Sequence, residues 1–457
     1  MIKKKNTSLI FNLFLFVHLF IWTLVPFISN INLPLDTIEA LAWGTNLDWG
    51  FEKHPPLSAF FPDIFYQIFG MQDWAYYLLS QIFIIFSFFV IFKLAKEFLK
   101  KEIHALLSVL LLEGIYFYNF TTPEFNVNIC QIPFWTLTVY YFWQCLKDNK
   151  AQDWILLGLF AALGVLSKYL FVYLLIGIIV FFIFKLKKNK KFNYKYFISI
   201  LVFLLVLTPH IIWLINNEFR TITYGLKRTG LEDSNFLDHL YYPLKFTLKQ
   251  IVILIPFFIL LNLTVAKFKF KFNFRDEKLV YLMSVTLVPI LTMLLTSLIL
   301  GANIRTMWMT PFYLFFGLFF VYLLESKIIL SSLKKFIIIF LFLFILSPTT
   351  YLSISLLKKD KRTDFPGKEI ARLVQARWDK NFINEISIVV GDEWLGGNLS
   401  YYIHSRPRWF KNLSPELKNL KLGGGVIYTG NADVLKSICP GVFGKIQLQG
   451  ICMIGVR

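Results

Sequence analysis

Charged side chains are scarce in this sequence, where they account for 16% of 457 residues, against 56% hydrophobic and 18% aromatic residues. A soluble domain carries about 25% charged residues, so this scarcity excludes an ordinary soluble globular protein. Apolar windows of about 20 residues recur along the chain, and each is long enough to cross a hydrocarbon core of about 30 Å as a helix. The composition therefore predicts a polytopic integral membrane protein.

Other chemical signatures are also missing. The four cysteines do not form a zinc-like cluster, because Cys130 and Cys145 fall in one apolar segment and Cys439 and Cys452 fall in the polar C-terminal part. For the second pair, a disulfide and two buried thiols stay open as alternatives. The loops contain no glycine-rich phosphate-binding motif, which argues against a soluble nucleotide donor. We find no inverted internal repeat, which argues against a transporter.

The apolar segments predict about eleven transmembrane helices. They lie near residues 8–29, 74–94, 104–118, 127–146, 152–167, 168–184, 196–215, 241–266, 279–299, 307–324 and 336–355. From about Leu356 onward the sequence becomes polar and rich in glycine, with no further span. We therefore predict an all-α membrane domain over residues 1–355 and a small α/β domain over residues 356–457.

Within this C-terminal part, the apolar pattern predicts two helices and two short buried strands. The helices are expected at 366–380 and 395–403, and the strands at 386–390 and 426–429.

Basic residues are concentrated in alternate loops. In an eleven-span arrangement they share one side with the N-terminus, in the segments 3–5, 93–101, 147–150, 185–195, 267–278 and 327–335. The positive-inside rule identifies that side as the cytoplasm. The formal net charge of +19 is then a topology signal and does not indicate a nucleic-acid partner. The loop over residues 30–73 and the C-terminal domain are predicted to lie outside the cytoplasm, at the periplasmic face of the inner membrane.

The loop after the first span begins with two acids. Asp36 stands at the external end of that span, and Glu39 follows three residues later on one predicted helix face. Ionisable residues at membrane spans usually mark functional sites. Two interpretations stay open: Asp36 caps a short helix after Pro34 with support from Glu39, or Asp36 is a reactive carboxylate.

Further along the same loop, Glu52, Lys53 and His54 directly precede Pro55 and Pro56. Two prolines hold the preceding backbone extended, so they fix the directions of the acid, the amine and the imidazole. An ordinary interfacial loop does not need this combination.

Several motifs follow one another in a fixed order over most of residues 1–325. They are Leu35-Asp36…Glu39…Leu47-Asp48-Trp49-Gly50…His54-Pro55-Pro56-Leu57, then Thr122-Pro123-Glu124, Trp154-x3-Gly158-Leu-x4-Gly164-x2-Ser167-Lys168-Tyr169, Pro209-x3-Trp213, and Trp308 beside Pro311. In order and spacing they resemble the GT-C glycosyltransferases of the PMT_2 type (glycosyltransferase family 39/83), which include bacterial lipid A aminoarabinose transferases and related lipid A or core glycosyltransferases.

This resemblance implies a GT-C fold and an inverting transfer of one sugar from a polyprenyl (undecaprenyl) phosphate carrier to an acceptor on the outer membrane face. The expected acceptor is lipid A or another lipopolysaccharide component. Protein or other envelope glycans, and a non-enzymatic flippase for lipid-linked sugars, stay open as alternatives. We expect a monomer that contacts membrane lipids and has no nucleic-acid partner. We assign no definite cofactor.

Two acids are the candidate catalytic residues. A hydroxyl acceptor needs a general base, and we assign that role to Asp36. Glu124 is the second acid, at a position where the resembled family usually has Asp. If the acceptor is itself a phosphate, no base is required, and Asp36 would orient the sugar or the acceptor instead.

Because a lipid phosphate is a good leaving group, the reaction needs positive charge more than a strong acid. The candidate donor-phosphate and substrate-binding residues are Lys53, Glu52, Glu39, Lys249, Lys245, Arg228, Arg305 and Tyr169. Lys245 and Lys249 lie four residues apart on one helix face, where snorkelling to the interface is an alternative role. For Lys168 and Arg305, substrate contact and helix-end anchoring both stay open.

A divalent metal ion is a further hypothesis, with Glu52 and His54 as its ligands. We interpret Asp48, Trp49 and Gly50 as the turn that sets this part of the loop in place.

Overall fold

The structure is a computed structural model that describes residues 4–189, 193–230, 235–266, 268, 270–329, 333–412, 424–446 and 449–457. Its first part is a helical bundle with α1 (Lys4–Ser29), α2 (Leu35–Gly44), α3 (Leu57–Phe69), α4 (Asp73–Phe98), α5 (Glu102–Leu110), α6 (Val127–Asp148), α7 (Ala151–Ser167), α8 (Val172–Asn189), α9 (Tyr196–Asn216), α10 (Arg220–Arg228), α11 (Asp238–Asn262), α12 (Glu277–Leu300), α13 (Phe316–Leu324) and α14 (Leu333–Leu357). Short 3-10 helices lie at Leu111–Gly114, Tyr116–Tyr118, Tyr169–Phe171, Thr306–Tyr313 and Glu325–Lys327.

Among the described residues, seven helices are long and apolar enough to cross a membrane. They are α1, α4, α8 with its preceding turn, α9, α11, α12 and α14. The pair Thr306–Tyr313 and Phe316–Lys327, bent by 50°, would make an eighth span. The prediction of a polytopic helical protein is therefore confirmed.

Three of the eleven predicted spans differ from long apolar helices. α5 has nine residues before the chain tightens into a 3-10 turn, and α7 has 17 residues. α6 has 22 residues but does not meet the hydropathy criterion. It carries polar side chains such as Asn128 and Gln131, which are buried against neighbouring helices. Helices enclosed by protein do not need the uniform apolarity of lipid-facing ones.

The C-terminal part forms a five-stranded sheet with three helices. Its elements are α15 (Gly367–Asp379), β1 (Ile386–Val390), α16 (Leu395–Tyr402), β2 (Arg408–Phe410), β3 (Gly425–Asn431), α17 (Ala432–Ile438), β4 (Val442–Ile446) and β5 (Gln449–Ile454). The strand order is β2-β1-β3-β5-β4, with β1 parallel to β2 and β3, and β5 antiparallel to β3 and β4. The four predicted elements are confirmed, and Cys439 and Cys452 form a disulfide.

This small domain shares a hydrophobic core with α2. Ile38 and Leu41 of α2 pack in one buried cluster with Val374 of α15 and Leu399 of α16. The two helices approach so closely that a Cβ atom at Gly397 would lie 2.9 Å from Cγ2 of Ile38. The loop over residues 30–73 and the C-terminal domain therefore lie at the same end of the bundle.

Candidate active site

A narrow cleft runs along one face of α2. Its cavity volume is about 10 Å³, and it is lined by Asp36, Glu39, Ala40, Trp43, His54, Ser58, Asn126 and Val127. The four α2 positions, 36, 39, 40 and 43, follow the i, i+3, i+4, i+7 pattern, which puts them on one helix face. The opposite face of α2 carries Ile38 and Leu41, which contact the C-terminal domain. Burial of one face fixes which side chains the other face presents to the cleft.

Asp36 does not cap this helix. α2 begins after Pro34, in extended conformation, and no side chain forms a capping hydrogen bond there. The backbone N–H of Asp36 instead donates to Oε1 of Glu124, with a distance of 3.1 Å between the two atoms. The two proposed acids, 88 residues apart in sequence, therefore meet at the start of α2.

Burial dominates the electrostatics of these two acids. It raises the pKa of Asp36, while the positive charges of Lys53, Lys168, Arg228 and Arg362 act in the opposite direction. Burial, together with the nearby charge of Asp36, raises the pKa of Glu124 to about 8. Two neighbouring carboxyl groups in a low-dielectric site do not ionise independently, because a charge on one disfavours a charge on the other.

Lys168 is a buried cation near these acids. It follows α7 in the turn to α8 and is 7% exposed. Its Nζ donates to Oδ1 of Asn128 and lies 5.4 Å from the ring centroid of Trp308. Burial lowers the pKa of Lys168 to about 7, although the charge of Asp36 opposes the shift. The structure thus favours placement in the site over simple helix-end anchoring.

Lys53 joins the loop to the C-terminal domain. Its Nζ donates to Oε1 of Glu39 at 3.0 Å and also to Oε2 of Glu393, which lies between β1 and α16. Oε1 of Glu393 in turn accepts a hydrogen bond from Nε1 of Trp43 at 3.3 Å. Burial opposes protonation of Lys53, but hydrogen bonds to the two carboxylates outweigh it and raise its pKa.

The same network shifts the neighbouring groups. Burial and the charge of Glu393 raise the pKa of Glu39 to about 7, against the pull of Lys53. Burial, reinforced by the charges of Lys168 and Lys53, lowers the pKa of His54 to about 3. His54 is therefore a neutral imidazole at physiological pH. Its ring lies edge-on to Trp43, 5.9 Å away between centroids.

Glu52 points away from this network. Both of its carboxylate oxygens accept hydrogen bonds from Nζ of Lys411 at 2.7 Å, and both side chains are about half exposed. Across the described residues, no group of three or more His, Cys, Asp or Glu side chains is placed to hold a metal ion. Glu52 and His54 therefore do not belong to a larger group of candidate ligands among these residues, and the metal site stays a prediction.

Asp48, Trp49 and Gly50 attach the loop to α9. Nε1 of Trp213 donates to Oδ2 of Asp48 at 2.8 Å, and Nδ1 of His210 is 2.5 Å from the carbonyl oxygen of Trp49. A Cβ atom at Gly50 would lie 2.4 Å from Cε3 of Trp213, so this position requires glycine. These contacts agree with the interpretation of the segment as a positioning turn.

The remaining predicted residues lie around the cleft at different distances. The hydroxyl of Tyr169 and Nε2 of His210 form a hydrogen bond of 2.8 Å. Arg228 is exposed at the end of α10, yet its charge acts on both Asp36 and His54.

The lysines of α11 and Arg305 are the other residues that were predicted to bind the donor. Lys245 is half-buried, with Nζ 5.1 Å from the ring centroid of Tyr241, and Lys249 is exposed. Arg305 is half-buried just before the 3-10 helix at Thr306–Tyr313. Neither α11 lysine nor Arg305 lines the described cleft, so their assignment stays a prediction.

Two groups gained importance only in the structure. Lys168 had a sequence signal, since it lies in the Ser167-Lys168-Tyr169 motif, but its burial could not be read from that motif. Glu393 had none, because it belongs to another domain and reaches Lys53 across 340 residues.

Residues 53–213 match the family described as dolichyl-phosphate-mannose-protein mannosyltransferase, PMT_2. That segment begins at Lys53, includes Glu124 and Lys168, and excludes Asp36 and the C-terminal domain. A comparison with curated proteins gives no significant match.

The fold is similar to that of ArnT from Cupriavidus metallidurans. The crystal structure of ArnT bound to undecaprenyl phosphate superposes with a TM-score of 0.68 and 10% identity, over 99% of this chain and 98% of that chain. The apo structure of the same protein gives a TM-score of 0.59 and 10% identity, over 96% and 97%. The predicted GT-C-type membrane fold with a small C-terminal domain is thus confirmed.

Proposed function

We propose that this chain is a membrane-embedded inverting glycosyltransferase that moves one sugar from a polyprenyl (undecaprenyl) phosphate carrier to an acceptor. The observation that carries the proposal is the cleft along α2, where the half-buried Asp36 contacts Glu124 and interacts electrostatically with Lys53 and the buried Lys168. Acids and cations gathered around one cleft suit a reaction that releases an anionic leaving group beside a developing oxygen nucleophile.

The fold supports the choice of donor. ArnT, which has the same fold over nearly the whole chain, has been crystallised with undecaprenyl phosphate. A lipid carrier also fits a cleft at the end of an apolar bundle, because its isoprenoid chain can stay in the bilayer while its phosphate reaches the interface. We expect the cleft to face the outside of the cytoplasmic membrane, with the N-terminus in the cytoplasm.

The reaction follows from the roles of the side chains. The acceptor oxygen attacks the anomeric carbon, a new C–O bond forms, and the bond from that carbon to the phosphate oxygen breaks with inversion. The electron pair of the broken bond stays on the lipid phosphate, where Lys53 and Lys168 stabilise the added negative charge. If the acceptor is a hydroxyl, Asp36 accepts its proton, and Glu124 holds the backbone N–H of Asp36 in place.

The acceptor we favour is lipid A or another lipopolysaccharide component, because the motif set resembles transferases that act on these lipids. A phosphate of lipid A is already anionic and would need no base, in which case Asp36 orients the sugar. Protein and other envelope glycans are alternative acceptors for the same site.

Comparative mass spectrometry of envelope lipids and glycans tests the proposal. We expect cells with this gene to carry one added sugar on a lipid A or glycan species, and cells without the gene to lack it. Complementation with wild type should restore the modification, whereas a variant with Asp36→Asn, expressed at the same level, should not. Identical lipid and glycan profiles in all strains would contradict a transferase.

A further inference from the structure

An unusual alternation of phenylalanine and basic residues joins α11 to α12. Phenylalanine occupies positions 268, 270, 272 and 274, while Lys267, Lys269, Lys271 and Arg275 occupy positions between or beside them. A period of two is the spacing of an extended chain with one apolar and one basic face. The site described above uses none of these residues.

The structure brings the phenylalanines to one side. Ring centroids lie 5.9 Å apart for Phe268 and Phe270, and 6.4 Å apart for Phe270 and Phe272. Residues two apart in an extended chain are separated by about 6.6 Å, so rings at this spacing stand on the same face. Phe270 also contacts Phe320 of α13, with 6.3 Å between centroids, which ties this row of rings to the bundle.

All four rings are exposed. The exposed fractions of Phe268, Phe270, Phe272 and Phe274 are 42%, 43%, 47% and 64%. Several large apolar side chains in a contiguous exposed row mark an interaction surface.

The row lies at the end of the bundle opposite the cleft. At the cleft end of α4, Asp73 accepts a hydrogen bond from Tyr401 of the C-terminal domain at 2.8 Å. At the other end of α4, the backbone oxygen of Glu97 accepts from Nζ of Lys278, in the first turn of α12. The 26 residues of α4 span about 39 Å, enough to cross the membrane, so the row lies at the far membrane boundary.

The nearby acids are already engaged by other groups. Asp276 caps α12 and accepts a hydrogen bond from the hydroxyl of Tyr322 at 2.8 Å, while Glu277 binds Lys185. Lys271 and Arg275 are exposed, and within the described part of the chain neither has a carboxylate within ion-pair distance. Positive charge at this boundary is therefore available to an external anion.

We propose that the exposed residues Phe268, Phe270, Lys271, Phe272, Phe274 and Arg275, the aromatic-basic strap, bind anionic phospholipid at the membrane surface opposite the active site. The phenylalanine rings enter the acyl–headgroup boundary, where aromatic side chains are favoured, and the basic side chains contact lipid phosphates. The strap thereby gives the bundle a lipid-specific attachment that differs from the proposed binding of the sugar donor.

Spin-label accessibility tests the two faces of the strap. In the full-length protein, Cys130 and Cys145 are buried and Cys439 and Cys452 form a disulfide, so a cysteine introduced by Phe272→Cys or Asn273→Cys can be labelled selectively. In vesicles containing phosphatidylglycerol, the label at 272 should be accessible to oxygen, which is enriched in the bilayer. The label at 273 should be accessible to a water-soluble nickel chelate. Equal accessibility at both positions, or shielding of both labels from both reagents, would overturn the proposal.

Lipid binding tests the contribution of the basic side chains. Native mass spectrometry of the purified protein with equal amounts of phosphatidylglycerol and phosphatidylcholine should show preferential retention of phosphatidylglycerol. Replacing Lys271 and Arg275 by Gln should reduce that preference on the order of tenfold, because each basic residue near an anionic surface contributes several-fold.

A matched variant controls for net charge. Replacing Lys334 and Lys335 by Gln removes the same charge from the same end of the bundle, but leaves the strap intact. This variant should keep most of the phosphatidylglycerol preference. Equal losses in the two variants would mean that general positive charge, and not the strap, selects the lipid.

Discussion

The two walls of the cleft differ in how their charges are satisfied. On the wall formed by the bundle, Lys168 is buried and Asp36 and Glu124 are half-buried, and in the described part of the chain they form no ion pair within 4 Å. On the wall that meets the C-terminal domain, Lys53 is bound by both Glu39 and Glu393.

The difference indicates different tasks. Burying an ionisable group without an opposite charge is costly, so such groups are retained where a ligand or a reaction uses them. Lys53 is instead paired with both Glu39 and Glu393, and this network joins the C-terminal domain to the loop. We therefore assign the chemistry mainly to the bundle wall and closure of the site to the domain wall.

The largest expected effect tests the bundle wall. Asp36→Asn should lower the rate of sugar transfer by about 10²–10⁴-fold if Asp36 is the general base, because the amide cannot accept the proton. Transfer rates in isolated membranes, normalised to protein level, provide the measurement.

Asp48→Asn is the matched control for this change. It alters a second aspartate of the same loop, and the amide oxygen can still accept from Trp213. A rate for Asp36→Asn within a few-fold of that control would remove Asp36 from the catalytic role.

The second effect concerns Lys168 and pH. Its pKa is lowered to about 7, so the fraction that carries a positive charge falls as the pH rises through 7. Affinity for the anionic donor should decrease over the same range, and Lys168→Met should weaken donor binding by about 10–100-fold at pH 6. The measurement is kcat/KM for the donor from pH 6 to 9.

Lys168→Arg sharpens this test, because arginine stays protonated and should flatten the decrease above pH 7. Lys227→Met, which removes an exposed lysine from α10, should retain the wild-type profile. A wild-type profile for Lys168→Met as well would contradict a role for the buried ammonium.

The third effect tests the domain wall. Glu393→Gln removes one carboxylate from Lys53, so Lys53 should bind the donor phosphate more readily, and KM for the donor should fall about 2–10-fold with a smaller change in kcat. The negative charge of Glu393 raises the pKa of Glu39, so its loss should also move the ionisation of Glu39 to lower pH.

Steady-state kinetics as a function of pH measure both changes. Glu385→Gln, at an exposed position of the same domain, is the matched control and should change neither quantity. An increase in KM for Glu393→Gln would show that Glu393 assists donor binding, against the assignment of this wall to closure.

The smallest effect concerns the exposed pair of Glu52 and Lys411. Exposed ion pairs contribute little to the free energy of unfolding. A double-mutant cycle with Glu52→Ala and Lys411→Ala should therefore give a coupling energy below about 1 kcal/mol in thermal unfolding. Transfer rates of the single variants should stay within about twofold of wild type. A large loss for Glu52→Ala alone, together with sensitivity to a chelator, would instead support the metal hypothesis at Glu52 and His54.

The sequence was informative about features that depend on residues close together in the chain, such as apolar spans and the polar loop between them. Polar residues in the segment around Asp36 and Lys53 stood out because their surroundings are apolar, and their neighbours fixed α2 and the proline-rich turn. The sequence predicted α6 as an apolar transmembrane helix, but α6 is less apolar than the other long helices. Residues such as Asn128 can be polar there because other helices, and not lipid, bury them. Local composition does not reveal which neighbour covers a side chain.

By itself the sequence determined that the chain is a polytopic membrane protein with a polar C-terminal domain, and that acids and cations gather after the first span. Hydropathy and backbone restriction by proline act over a few residues, so they can be read directly. Only the tertiary structure decided that Glu124 meets Asp36, that Lys168 is buried, and that Glu393 binds Lys53. These contacts depend on how helices and domains pack, and packing joins residues that are far apart in the chain.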